Sequence, residues 1–98
     1  MAKLVALHKQ PTDPAAFDNS YYESHLPLIR KVPGLQKTMI TRFTHSLSGE
    51  NYYLMAELYF ADEAALKTAM KSPEMAAAGE NLDSFAKGQY SLFFAEES

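Results

Sequence analysis

The chain has 98 residues, 47% of them hydrophobic and 21% charged, which is the composition of one small globular domain covering residues 1–98. Its net charge of -3 argues against a nucleic-acid partner, because phosphate binding requires clustered lysine and arginine. The absence of cysteine excludes disulfides, thiolate chemistry and cysteine-ligated zinc.

The first predicted elements are a strand over residues 3–10 and a helix over residues 14–31. Asp13 can accept hydrogen bonds from the first amides of this helix. One stripe of the helix is apolar and aromatic but includes a histidine; it comprises Phe17, Tyr21, His25 and Leu28, with Tyr22 and Ile29 along its edge. Pro27 should kink or interrupt the helix beside His25, because proline lacks the amide that would bond the carbonyl of Glu23.

Two strands joined by a hairpin loop are predicted next, over residues 36–45 and 51–60. The second of these strands is apolar on both faces. One face carries Tyr53, Met55 and Tyr59, and the other carries Tyr52, Leu54, Ala56, Leu58 and Phe60. Both faces of the sheet therefore need to be covered.

Helical residues follow from Asp62 to Ser72, restart at Pro73 and continue to about Ala86, before a last strand over residues 90–95. This order predicts an α+β fold, the ferredoxin-like βαββαβ sandwich, in which a four-stranded antiparallel sheet carries both helices on one face. The apolar residues on the other face predict a homodimer whose two sheets meet face to face. No window approaches the ~18 apolar residues of a membrane span, and we expect a cytoplasmic protein without a membrane partner.

His25 is the first candidate for chemistry, because histidine alone titrates near neutral pH without perturbation. The alternative interpretation is a packed histidine that bonds a backbone carbonyl. Tyr22, three residues earlier, could share a cavity with His25 and orient or protonate a carbonyl oxygen, or it could simply be core.

Glu57 is the one acid within a strand interior, so it must be paired, protonated or placed in a wet cavity. Arg42 on the neighbouring strand could be its partner in a structural ion pair. If Glu57 instead approaches His25, a histidine–carboxylate pair results and a general base becomes plausible. The residues expected to contact a ligand are Tyr53, Glu57, Tyr59, His8 and Arg42.

His8 and His45 lie on different predicted strands, and no spacing typical of a metal site is present, so we expect no metal. We also expect no cofactor, although His25 is eligible as the axial ligand of a haem.

Several segments together resemble the EthD family, and the match runs essentially end to end. They are Lys3–Leu7, Tyr22–Leu28, Pro33–Leu35, Tyr53–Phe60 and Ser72–Glu74. The most specific piece is a tyrosine, two spacers, a histidine, one spacer and a proline, at Tyr22, His25 and Pro27. The resemblance implies the dimeric α+β barrel, in which two ferredoxin-like subunits join their sheets.

The family is named for a protein associated with ethyl tert-butyl ether degradation, and its wider superfamily includes cofactor-free monooxygenases, isomerases and cyclases. The resemblance therefore implies an enzyme of oxidative, aromatic or ether-type catabolism, or of polyketide-like tailoring. It would be a cofactor-free oxidoreductase, isomerase or lyase acting on a small, apolar, oxygenated ligand, with His25 moving a proton and Tyr22 orienting an oxygen. The alternative is a non-catalytic protein that binds a hydrophobic metabolite for a partner monooxygenase. A fold shared this widely cannot name the reaction.

Overall fold

The computed structural model describes residues 1–97, and its elements follow the predicted order. The strands are β1 (Ala2–Lys9), β2 (Lys37–Arg42), β3 (Tyr52–Phe60) and β4 (Tyr90–Glu96). The helical segments are α1 (Pro14–Ser20), a π-helical turn (Tyr21–His25), α2 (Leu26–Ile29), α3 (Glu63–Met70) and α4 (Pro73–Ala86). The strands form one antiparallel sheet in the order β2-β3-β1-β4, which confirms the ferredoxin-like prediction.

The core lies between one face of the sheet and the helices. Leu54 and Phe60 of β3 and Leu66 of α3 have no solvent exposure at all. The opposite face, which we call the open face, carries Val5 and Leu7 of β1 only half-buried, because no helix within residues 1–97 packs on it. Among residues 1–97, no helix is long and apolar enough to cross a lipid bilayer.

The first helix is interrupted beside His25, as predicted, and the interruption is a π-helical turn. The backbone N–H of Leu26 donates to the carbonyl oxygen of Tyr21, one residue farther back than in an α-helix. The extra residue shifts the buried face beyond it, so Leu26 and Ile29 are buried while Leu28 is only half-buried. Leu28 still packs against the core, so the predicted packing of this stripe is confirmed, and Leu26 joins it.

A β-bulge redirects Tyr53. The pairing of β1 with β3 shifts between His8, which lies opposite Leu54, and Lys9, which lies opposite Tyr52, so Tyr53 is the extra residue. Its ring consequently reaches the helical layer, 5.5 Å from the ring of Phe17. The prediction that Tyr53 shares a face with Tyr59 is wrong for this reason.

The hairpin between β2 and β3 is longer than predicted. β2 ends at Arg42, so the residues from Phe43 to Asn51 form the connection, and Gly49 lies within it at a φ of +75°. The side chains of this connection are exposed, His45 among them, so they do not help to position a site in the helical layer.

Candidate functional site

A pocket of about 240 Å³ lies between the sheet and the helices. Its walls are mainly aliphatic, and the side chains with polar or titratable groups that line it are His25, Tyr21 and Tyr90. Leu92 of β4 also lines the pocket and is 47% exposed, so the pocket reaches the surface beside that edge strand. The hydroxyl of Tyr90 is already engaged, because it donates to Asp83 Oδ1 at 2.6 Å.

His25 occupies the end of the π-helical turn and is 5% exposed. Its ring centroid lies 5.2 Å from that of Tyr21 and 6.4 Å from that of Phe85. Burial lowers the pKa of His25, while hydrogen-bond acceptors on Asn81 and on the backbone of Ala78 act in the opposite direction. Because burial is the larger effect, the imidazole is neutral at pH 7 and can accept a proton.

His8 is a second buried histidine, 1% exposed, and it lies close behind the wall of the pocket. Its ring is 5.3 Å from that of Tyr21 and 5.8 Å from that of Tyr90, and neither of its nitrogens has a hydrogen-bond partner within residues 1–97. Burial, with a smaller contribution from His25, lowers the pKa of His8 to about 4. The structure thus brings His8 and His25 against the same tyrosine ring, although only His25 borders the pocket.

His8 should make folding stability depend on pH. As the pH is lowered from 6.5 to 4, the unfolded chain binds a proton at this residue and the folded chain does not. The free energy of unfolding therefore decreases as the pH is lowered. We expect His8→Leu to abolish this loss, which amounts to roughly 2.5 kcal/mol at pH 4.5. Urea unfolding at pH 7.5 and pH 4.5 measures it. The exposed His45 provides the control, since His45→Leu should keep the wild-type pH dependence; equal behaviour of the two variants would contradict the prediction.

Tyr22 and Arg42 meet outside the pocket. Arg42 Nη1 donates to the Tyr22 hydroxyl at 3.3 Å, and Arg42 Nη2 donates to Tyr53 Oη at 2.6 Å and to Asp18 Oδ2 at 3.1 Å. The Tyr53 hydroxyl in turn donates to Asp18 Oδ1 at 2.8 Å. This cluster ties α1 to β2 and β3, and the structure places three of the predicted site residues in it.

The predicted pairing of Glu57 with Arg42 is wrong. Glu57 lies on the open face, where its carboxylate accepts from Lys3 Nζ at 2.6 Å and from the Tyr59 hydroxyl at 3.5 Å. Arg42 points to the helical side because it lies opposite Leu54, a buried core residue. For the same reason Glu57 does not approach His25, and no histidine–carboxylate pair forms. Glu57 and Tyr59 therefore lie across the sheet from the pocket.

Tyr21, which the sequence places on the same helix stripe as His25, and Asn81, which no sequence pattern singles out, both lie close to His25. Tyr21 is 1% exposed and lines the pocket, and burial raises its pKa above the usual range, so it remains a neutral phenol. The four-residue spacing of Tyr21 and His25 indicates that Tyr21 lies next to His25 on the helix. Asn81 comes from a different helix, and no local pattern links it to His25.

Comparison with known proteins gives a consistent result. A family model described as the EthD domain matches residues 9–89. An uncharacterized 11.0 kDa protein of Rhodococcus erythropolis, from the thcB–thcC intergenic region, is 32% identical over 99% of this chain and 95% of its own length.

Two solved structures share the fold over nearly their whole length. An ethyl tert-butyl ether (EthD) family protein from Bacillus halodurans is 42% identical, with a TM-score of 0.94 over 100% of this chain and 99% of that one. A dimeric protein of unknown function and ferredoxin-like fold from Bacteroides fragilis is 22% identical, with a TM-score of 0.68 over 98% of this chain and 95% of that one.

Proposed function

Since this chain belongs to the EthD family, we propose that its pocket binds a small, largely apolar, oxygenated molecule and that His25 transfers a proton within it. The observation that carries the proposal is the placement of a buried imidazole in a wall that is otherwise mostly aliphatic. Ligand sites typically combine apolar walls with a few polar groups that fix orientation.

The size and charge of the pocket indicate the ligand class. A volume of about 240 Å³ lies just below the roughly 300–1,000 Å³ typical of ligand pockets, which favours a small molecule such as a cyclic ketone or a phenol. Apart from His25 and the two tyrosines, no titratable side chain of residues 1–97 lines it. A carboxylate would therefore lose its hydration without gaining a cation, so an uncharged ligand fits better.

Proton transfer is the chemistry that these groups can supply. The neutral imidazole of His25 takes a proton from the carbon beside a carbonyl group, and the electron pair of the broken C–H bond moves onto the carbonyl oxygen as an enolate. The imidazolium then returns its proton to the same or another carbon, which gives exchange or isomerisation. We assign the oxygen-orienting role to the phenol of Tyr21, which lines the pocket, rather than to Tyr22, whose hydroxyl is bonded by Arg42 outside it.

A homodimer is the assembly that we propose for this enzyme. The open face carries Val5, Leu7 and Met55 half-buried and Phe93 52% exposed, which is a large apolar area for an isolated small domain. The Bacteroides fragilis protein of the same fold is dimeric. A second copy of the chain would cover this face and leave the pocket, on the other side of the sheet, free for ligand.

Cyclohexanone in D₂O tests the proposed chemistry, because exchange of its α-hydrogens reports proton abstraction and NMR line broadening reports binding. We expect the wild-type protein to bind it and to accelerate exchange, and His25→Ala to reduce the acceleration about 100-fold or more. Binding should change less than tenfold, or about 1.4 kcal/mol, because the aliphatic walls remain. Binding without any acceleration in the wild type would instead favour the non-catalytic carrier.

Gly79 allows the pocket to be filled without disturbing the helix. It lines the pocket, and a Cβ added there would meet no atom within 4 Å. We expect Gly79→Leu to weaken cyclohexanone binding at least tenfold. Ala77→Leu, on the exposed face of the same helix, is the control and should bind as the wild type does. Equal binding by all three proteins would place the ligand elsewhere.

A further inference from the structure

The face of α4 that packs against His25 contains one polar side chain. Ala78, Asn81, Leu82 and Phe85 recur at intervals of three and four residues and so share one side of the helix. Ala78 and Leu82 line the pocket together with His25, and the ring of Phe85 lies 6.4 Å from the imidazole. Asn81 is on the same side of the helix, and its side chain acts as a hydrogen-bond acceptor near the imidazole of His25.

Asn81 Oδ1 and His25 Nδ1 are both buried, and both lack a hydrogen-bond partner in the part of the chain that the structure describes. The amide oxygen can only accept, whereas the ring nitrogen donates when it carries the proton. A buried polar group without a partner costs about 1–3 kcal/mol, so a hydrogen bond between the two atoms would remove two such costs. The other titratable groups that the structure places beside His25 are Tyr21, Tyr90 and His8, and all three are neutral at pH 7.

We propose that Asn81 is a positioning residue that accepts a hydrogen bond from His25 Nδ1–H and thereby keeps Nε2 as the proton-accepting nitrogen. The tautomer of a histidine is set by the hydrogen bond that its other nitrogen makes. The side chain of Asn81 also favours the protonated form of His25, as an acceptor does, and the backbone carbonyl of Ala78 acts in the same direction with a smaller effect. The consequence for catalysis rests on the proposed function, but the tautomer itself does not.

Nitrogen-15 NMR of histidine-labelled protein tests the proposal without any ligand. At pH 8 we expect His25 Nδ1 to give the shift of a protonated nitrogen and Nε2 that of an unprotonated one. Asn81→Leu should move the population toward the Nε2–H form and lower the pKa of His25. Asn81→Asp keeps an acceptor and adds a negative charge, so it should retain the Nδ1–H form and raise the pKa by about one unit or more.

Asn19→Leu is the matched control, because Asn19 is exposed on α1 and should leave the spectrum of His25 unchanged. The His8→Leu and His45→Leu variants assign the signals of the three histidines. A wild-type His25 with its proton on Nε2, or a tautomer that Asn81→Leu does not change, would overturn the proposal. If Asn81→Leu does not fold, the proposal is tested by the tautomer of His25 in the wild type and by the pKa of His25 in Asn81→Asp. If Asn81 controls the tautomer of His25 but the protein does not accelerate the exchange of cyclohexanone, only the proposed enzymatic function is refuted.

Discussion

Phe60→Ala is expected to lower the free energy of unfolding by about 3–5 kcal/mol, a large share of the roughly 5–15 kcal/mol that stabilises a typical domain. Phe60 ends β3, lies opposite Ala2 of β1 and is 0% exposed, so truncation leaves a cavity as well as losing apolar contact. Neighbouring side chains cannot collapse fully into such a space, because protein interiors are close-packed. Urea unfolding followed by circular dichroism measures the loss.

Phe94→Ala is the control that shows whether the loss of stability depends on the burial of the phenylalanine or only on its removal. Phe94 lies on the edge strand β4 and is 48% exposed, so the same truncation removes much less buried area there. We expect its cost to stay below about 1.5 kcal/mol. Similar losses for the two phenylalanines would mean that the sheet and helices do not enclose Phe60 as described.

Leu7→Glu is expected to dissociate the proposed homodimer, raising its dissociation constant about 1,000-fold or more. Leu7 is half-buried on the open face of β1, a central strand of the sheet. In a two-fold symmetric interface the substitution enters twice, so two desolvated carboxylates face a shared apolar surface. Unpaired or like charges at an interface cost several kcal/mol, which corresponds to this fold-change.

Sedimentation equilibrium of the wild type and of Leu7→Glu measures the effect. Leu47→Glu is the control, because Leu47 is 92% exposed in the connection between β2 and β3 and the change in charge is identical. Circular dichroism checks that Leu7→Glu remains folded as a monomer. The face-to-face dimer would be refuted if the wild type sedimented as a monomer or if both variants stayed dimeric.

Local signals were sufficient for most elements of the fold. Ser72 and Pro73 predicted the start of α4 at the correct residue, since the Ser72 hydroxyl accepts from the backbone N–H of Met75. The helix start after Asp13 was predicted equally well, because its carboxylate caps the amide of Ala16. Such caps depend only on residues within one helical turn, so one sequence is enough to predict where the helix begins.

The errors came from features that depend on pairing between distant segments. The bulge at Tyr53 exists only in the register of β3 against β1, so strict alternation assigned this side chain to the wrong face. Arg42 was paired with Glu57 because the sequence does not say which face of β2 meets the helices. His25 could be singled out by its motif and its position on the helix, but Asn81 required knowledge of how α4 packs.

The π-helical turn makes the length of the first helical region as important as its composition. The backbone N–H of Leu26 reaches back five residues to the carbonyl oxygen of Tyr21, so removing one residue between Tyr21 and His25 would convert this turn into an ordinary α-helical turn and abolish the π-helical geometry beside His25. The exposed connection from Phe43 to Asn51 has no such restriction, because surface loops accommodate insertions and deletions. Descendants of this sequence that keep the π-helical turn should thus vary in length between β2 and β3 but not between Phe17 and Ile29.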